Sequence, residues 1–160
     1  MLERIRQFRA ATDLPTEGDL VVARARLAPP LVALFSAQHP RDIVHSAATA
    51  RWLLARGHED PDLIAAALLH DVGKGHQRRA DRVAHVLLSV GRANGLIAHA
   101  ESRSEWRRAL ARSRDHSALG ASQLRSVGAS PRVVELTQAH HDAAGGDHML
   151  ALLQQADALN

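Results

Sequence analysis

A run of seven apolar residues, Leu63-Ile64-Ala65-Ala66-Ala67-Leu68-Leu69, ends without transition in His70-Asp71, and Val72-Gly73-Lys74 follows. A helix that is apolar on every side belongs inside a core. Ionisable groups joined to such a helix are costly unless they are paired or bind a metal ion. This junction limits the folds open to the chain, because the core must supply partners for His70 and Asp71. Metal ligation is the leading use for such a pair. Lys74, just past it, is the only lysine in the sequence.

The 160 residues suit one domain, 1–160, with a sizeable core. That core is expected over about 30–160, with 1–29 as an N-terminal helical extension. With no cysteine, neither a disulfide framework nor a thiolate zinc site is open to the chain. Its charge-free runs are far too short to cross a bilayer, and Met1-Leu2-Glu3-Arg4 does not open a signal peptide. The expectation is a cytoplasmic protein with no membrane partner.

The sequence pI is about 10.8, yet the net charge is only +3 with histidines neutral. All the basic residues but Lys74 are arginines, in a chain rich in alanine, which reads as a compositional bias more than as a nucleic-acid surface. Phe8, Phe35, Trp52 and Trp106 are the only aromatics besides histidine, too few for a single-strand stacking platform. A nucleic-acid partner is therefore the weakest of the readings considered.

In chain order, Leu2, Ile5 and Phe8 fit a short helix over 2–11, and Thr12 to Gly18 reads as a loop. Asp19 is placed as the cap of a helix to about Leu27, which Ala28-Pro29-Pro30 interrupts. Leu31 to Ala37 follows as a packed segment. Arg41 to Arg56 makes a long helix ended by Gly57, with Val44, Ala47, Ala48, Arg51, Trp52 and Ala55 as its recurrent stripe and His45 beside it. Phe35 and Trp52 are read as core. Asp60-Pro61 caps the apolar helix, and Gly73 and Gly75 end it.

Val83, Val86, Leu87 and Val90 have helical spacing over 81–90. Glu101 to Arg114 is expected as one charged helix, exposed along Arg103, Arg107, Arg108 and Arg112. Asp115-His116 is expected to open another helix to about Val127, with Leu119 and Leu124 inward. Ser130-Pro131 starts a helix over Arg132 to His141, Asp142 to Asp147 is a loop, and His148 to about Leu159 closes the chain. No segment alternates as a strand does, and no repeat period is present. The expectation is an all-α, single-domain bundle of seven to nine helices.

Eleven histidines stand in this chain, and histidine is the commonest metal ligand. His45, His70, Asp71, His116, His140, His141 and Asp157 each lie on or at an end of a predicted helix. That is how bundle-core metal sites are built. This ordered set resembles the HD-domain superfamily of metal-dependent phosphohydrolases. The likeness is sharpest at Ala67-Leu68-Leu69-His70-Asp71-Val72-Gly73-Lys74. It extends to the helix around His45 and the closing Gln154-Gln155-Ala156-Asp157, so it covers roughly residues 30–160.

The resemblance implies that His45, His70, Asp71 and Asp157 hold one metal ion. His116 and the pair His140-His141 resemble the added histidines of the two-metal subset, in which Asp71 would bridge both ions; His141 fits equally as a residue orienting a ligand. The chain departs from the cyclic-dinucleotide phosphodiesterases of that subset after His141. There Asp142-Ala143-Ala144-Gly145-Gly146-Asp147 replaces a Gly-Tyr-Pro segment, so the likeness does not extend to cyclic-di-GMP specificity. His39, His58, His76, His85, His99 and His148 have no place in the pattern and are read as surface residues.

The implied activity is hydrolysis of a phosphomonoester or phosphodiester, nucleotide or other small phosphate ester, by metal-activated water. Asp71 and Lys74 are the implied catalytic residues, with Lys74, Arg78 and Arg79 facing substrate phosphate. The cofactor is one or two divalent ions, of manganese, iron, zinc, cobalt or nickel. The alternative is a non-catalytic regulatory or signalling module of the same fold that binds metal or nucleotide. A homodimer is compatible with a small bundle, and no motif specifies one.

Overall fold

The computed structural model describes residues 14–75 and 105–160, the side chains of 105–114 excepted. Among the described residues there are seven α-helices and no strand: α1 (Glu17–Arg26), α2 (Pro29–Ser36), α3 (Pro40–Leu54), α4 (Pro61–Leu69), α5 (Glu105–Ser126), α6 (Pro131–Ala139) and α7 (His148–Leu159). One 3₁₀ turn, Val72–Lys74, follows α4. The fold is all-α. The expected helices over 2–11 and 81–90, and Arg78 and Arg79, lie outside the described residues.

Four helices begin with proline at the first position, Pro29, Pro40, Pro61 and Pro131. Proline needs no amide partner there and its ring pre-sets the helical φ. Three of those starts also carry a capping side chain: His39 accepts from the Arg41 amide, Asp60 from Asp62 and Leu63, and Ser130 from Val133. Asp147 caps α7 in the same way through the Leu150 amide. The sequence placed Asp19 as the cap of α1, but Thr16 holds that position. Asp19 is its reciprocal partner three residues on and also accepts from Arg51 at 2.5 Å, tying α1 to α3.

Helix α4 is the centre of the bundle. All seven residues Leu63–Leu69 are buried, and α4 packs against α1, α2, α3, α6 and α7. Phe35 is fully buried as expected, whereas Trp52 only leans on the core from its rim, with the Arg56 guanidinium 3.7 Å from its ring centroid. The inward face of α3 is Asp42, Ile43, Ser46, Ala47, Thr49, Ala50 and Leu53, rotated from the stripe expected through Val44, Ala48 and Ala55. Small and polar side chains make up most of the face that packs against α4.

Helix α5 is continuous through Asp115-His116, where a new helix was expected to start. Ser113 and Asp115 have capping chemistry, but no glycine or proline forces the chain out of the helix there. Leu124 is buried and Leu119 is 40 % exposed, so the inward face runs through His116, Gly120, Ala121 and Leu124. The 3₁₀ turn packs directly on α5. No described helix is long and apolar enough to cross a membrane.

Candidate metal centre

Helices α4 and α6 place the central histidines by the same local device. Each is nine residues long, each has a polar cap and a leading proline, and each ends on a histidine as its C-cap, His70 and His140. Ser130 Oγ at the start of α6 donates to Asp62 Oδ1 in the first turn of α4 at 2.7 Å. At the other end the His70 and His140 rings lie 5.3 Å apart. The two helices are therefore parallel and matched in length. Both direct C-terminal carbonyl ends, which carry partial negative charge, toward the same place.

Each of these histidines turns back on its own helix. His70 Nδ1 lies 3.0 Å from the Ala67 carbonyl and His140 Nδ1 lies 2.7 Å from the Thr137 carbonyl. A carbonyl only accepts, so each Nδ1 carries its proton and donates it, which leaves Nε2 as the coordinating atom of the neutral ring. Backbone bonds of this kind are what orient histidines that ligate metals.

The Nε2 atoms then meet one another and two carboxylates. His45, from the middle of α3, stands with Nε2 2.8 Å from Asp157 Oδ1 of α7. His70 Nε2 lies 3.3 Å from the same oxygen and 3.6 Å from Asp71 Oδ2. On the other side, His116 Nε2 of α5 is 3.2 Å from His140 Nε2 and 3.1 Å from His141 Nε2. Asp71 Oδ1 points that way, 3.5 Å from His116 Nε2 and 3.9 Å from His140 Nε2. Within each of two groups, His45-His70-Asp157 and His116-His140-His141, the ligand atoms thus lie within 4.8 Å of one another, and Asp71 stands between the groups.

Two atoms at the centre lack an adequate hydrogen-bond partner although both are buried, His70 Nε2 and Asp71 Oδ1. Buried polar groups are ordinarily satisfied, and those left over call for an explanation such as an ion. The donor set is nitrogen and carboxylate oxygen, which suits zinc, iron, manganese and neighbouring divalent ions. These residues fit a divalent metal.

For Asp71, Asp157 and His140 the electrostatics point the same way. Burial opposes charge on Asp71, but His70, Lys74 and His45 outweigh it and hold the carboxyl well below the usual range. Asp157 is likewise held low against burial by its hydrogen bond to His45 and by the nearby His70 ring. Burial, with His70 nearby, pushes His140 down to about 3, keeping it a neutral donor. His70 goes the other way: burial lowers it, and the carboxylates of Asp71 and Asp157 more than offset that.

All seven residues singled out as ligands from the sequence are in this cluster. Lys74 also reaches it, since its ammonium binds Asp71 Oδ2. His39 serves as the α3 cap and His148 is exposed at the start of α7. His76, His85 and His99 lie outside the described residues.

Two supporting residues escaped sequence reading. Gln38, buried between α2 and α3, donates to the Leu68 carbonyl at 3.2 Å and so fixes the end of α4. Gln154 donates to the carbonyls of His140 at 3.1 Å and Asp142 at 2.6 Å, securing the chain after α6. A lone glutamine near a helix end carries no distinctive signal, though Gln154 lies just under one turn before Asp157 on the ligand-bearing helix.

Comparison with curated proteins and with solved structures gives no match. The HD domain profile matches residues 39–160. That span starts at the cap of α3 and takes in all the helices that carry the clustered histidines and aspartates, and the chain belongs to the HD-domain family.

Proposed function

We propose that this protein is a metal-dependent phosphohydrolase that cleaves a phosphate ester of a nucleotide or another small molecule. HD domains are generally metal-dependent hydrolases. The observation that carries the reading is the pair of partnerless buried atoms, His70 Nε2 and Asp71 Oδ1, lying between two groups of convergent ligand atoms.

In this reading His45, His70 and Asp157 would hold one divalent ion and His116, His140 and His141 a second, with Asp71 available to either group. Such an ion supplies Lewis acidity toward a phosphoryl oxygen and lowers the pKa of water. The chain's own part is positioning. The Ala67 and Thr137 carbonyls fix two rings, and the Asp71 carboxylate stays ionised at neutral pH. Lys74, whose side chain is 26 % exposed beside a buried Asp71, is placed to offer its ammonium to an anionic phosphate arriving from solvent.

Metal content of the purified protein, followed by hydrolysis assays on nucleotide mono- and diesters with manganese, cobalt or iron added, tests the reading. Activity is expected with at least one ion, and Asp71→Ala is expected to lower both metal content and rate by a hundredfold or more. Absence of bound metal, together with absence of hydrolysis under all three ions, overturns it.

A further inference from the structure

The two oxygens of Asp71 have different neighbours. Oδ1 faces the imidazoles of His116 and His140 and has no hydrogen-bond partner. Oδ2 is engaged by the Lys74 ammonium, with His70 Nε2 3.6 Å away. A ligand oxygen that faces the His45-His70-Asp157 group is therefore already held by a cation of the protein's own. The backbone under Lys74 is fixed, because Gly73 is wedged against the carbonyl of His116. The side chain is a flexible four-carbon stem ending at the solvent boundary. The ammonium can leave while the backbone stays.

We propose that Lys74 is an exchangeable counter-ion: its ammonium occupies Asp71 Oδ2 until a divalent cation takes that oxygen, and then turns outward as the receptor for an anionic group such as phosphate. This rests on the proposal that the cluster holds divalent metal. Two cations competing for one carboxylate oxygen disfavour each other, so Lys74 lowers the affinity for the ion on its side of Asp71. The same competition links ion entry to the readiness of Lys74 for an anion, by equal factors in both directions. Phosphate recognition and metal loading are then one coupled event, and the metal-free site is a poor phosphate binder because its ammonium is engaged.

Lys74 is the sole lysine, so protein labelled with ¹³C at the lysine ε-carbon gives one signal that reports on this side chain alone. Titration with Zn²⁺, which is diamagnetic, is expected to move that signal to saturation in step with ion binding. In metal-free Asp71→Asn it is expected to sit near the metal-loaded position from the start. Calorimetry should show Lys74→Met binding Zn²⁺ about tenfold tighter than wild type, the loss of one charge-assisted hydrogen bond that the ion otherwise has to displace. Lys74→Arg, which keeps charge and donor, should stay near wild type.

If Zn²⁺ binds and the lysine signal does not move, the exchange is refuted and the metal reading stands. The exchange is equally refuted if Lys74→Met binds Zn²⁺ no more tightly than wild type. Absence of Zn²⁺ binding by wild type and by Lys74→Met overturns both. Should Lys74→Met fail to fold by circular dichroism, the lysine signal of wild type alone decides.

Discussion

A Cβ built on Gly73 would stand 2.0 Å from the His116 carbonyl oxygen and 2.5 Å from the Gly120 amide nitrogen, both backbone atoms that cannot swing aside. The glycine was legible as a helix breaker and as part of the motif that resembles the HD-domain superfamily. Its actual task, letting the 3₁₀ turn touch α5 so that Asp71 comes near His116, is set by a long-range approach that no local pattern encodes. Gly73→Ala should therefore lower stability by about 3 kcal/mol, the upper part of the range for overpacking, read as a fall in the thermal midpoint. Asp19 gives a second residue-scale test. Its side chain is 3 % exposed. Burial raises its pKa, and the hydrogen bonds from Thr16 and Arg51 outweigh this and lower it. A depressed folded pKa contributes stability above the unfolded value of about 3.9 that is lost as pH falls through the folded one. Asp19→Asn should cost about 1–3 kcal/mol at pH 7, and its gap from wild type in denaturant titrations should narrow below pH 4.

Among the elements, α4 and α6 were the easiest to read and α3 and α5 the hardest. Proline after a capping residue, then an apolar run, marks α4 and α6 without help from tertiary structure. The inward face of α3 is built of Ser46, Ala47, Thr49 and Ala50. Alanine and small polar residues occur as readily on exposed faces, so Val44 and Trp52 drew the stripe to the wrong side. In α5, residues with capping chemistry suggested a break where the helix continues. The link between the starts of α4 and α6 can be tested directly. Ser130 caps α6 through the Val133 amide and also donates to Asp62. Ser130→Ala should cost about 1–2 kcal/mol by chemical denaturation, the usual range for a lost cap with a second bond added. It should leave the helical content by circular dichroism near wild type.

At the scale of the molecule, the order His, His-Asp, His, His-His, Asp along the chain was enough to identify the cluster. Five helices converge on one point only if each delivers its side chain there. The numbers and sizes of ions do not follow from that order, because both Asp71 oxygens and the Lys74 contact depend on rotamers fixed by packing. If the cluster binds metal in the folded state alone, Zn²⁺ at a hundred times its dissociation constant should add about 2.7 kcal/mol of stability. That corresponds to a rise of about 5–10 °C in the thermal midpoint for a domain of this size. The rise should vanish with a chelator and be largely lost in Asp71→Asn.

The matched lengths of α4 and α6 have a consequence for how such a chain can change over time. With the cap of α6 joined to the first turn of α4, the two helices act as a ruler and its copy. One residue inserted in either would carry its histidine forward by about 1.5 Å and around the axis by about 100°, out of reach of its counterpart. Insertions and deletions should then be tolerated in the connections and rejected between each cap and its histidine. Asp60 to His70 and Ser130 to His140 are the same number of steps apart, and that paired interval is a signature to look for wherever this centre is sought in other sequences.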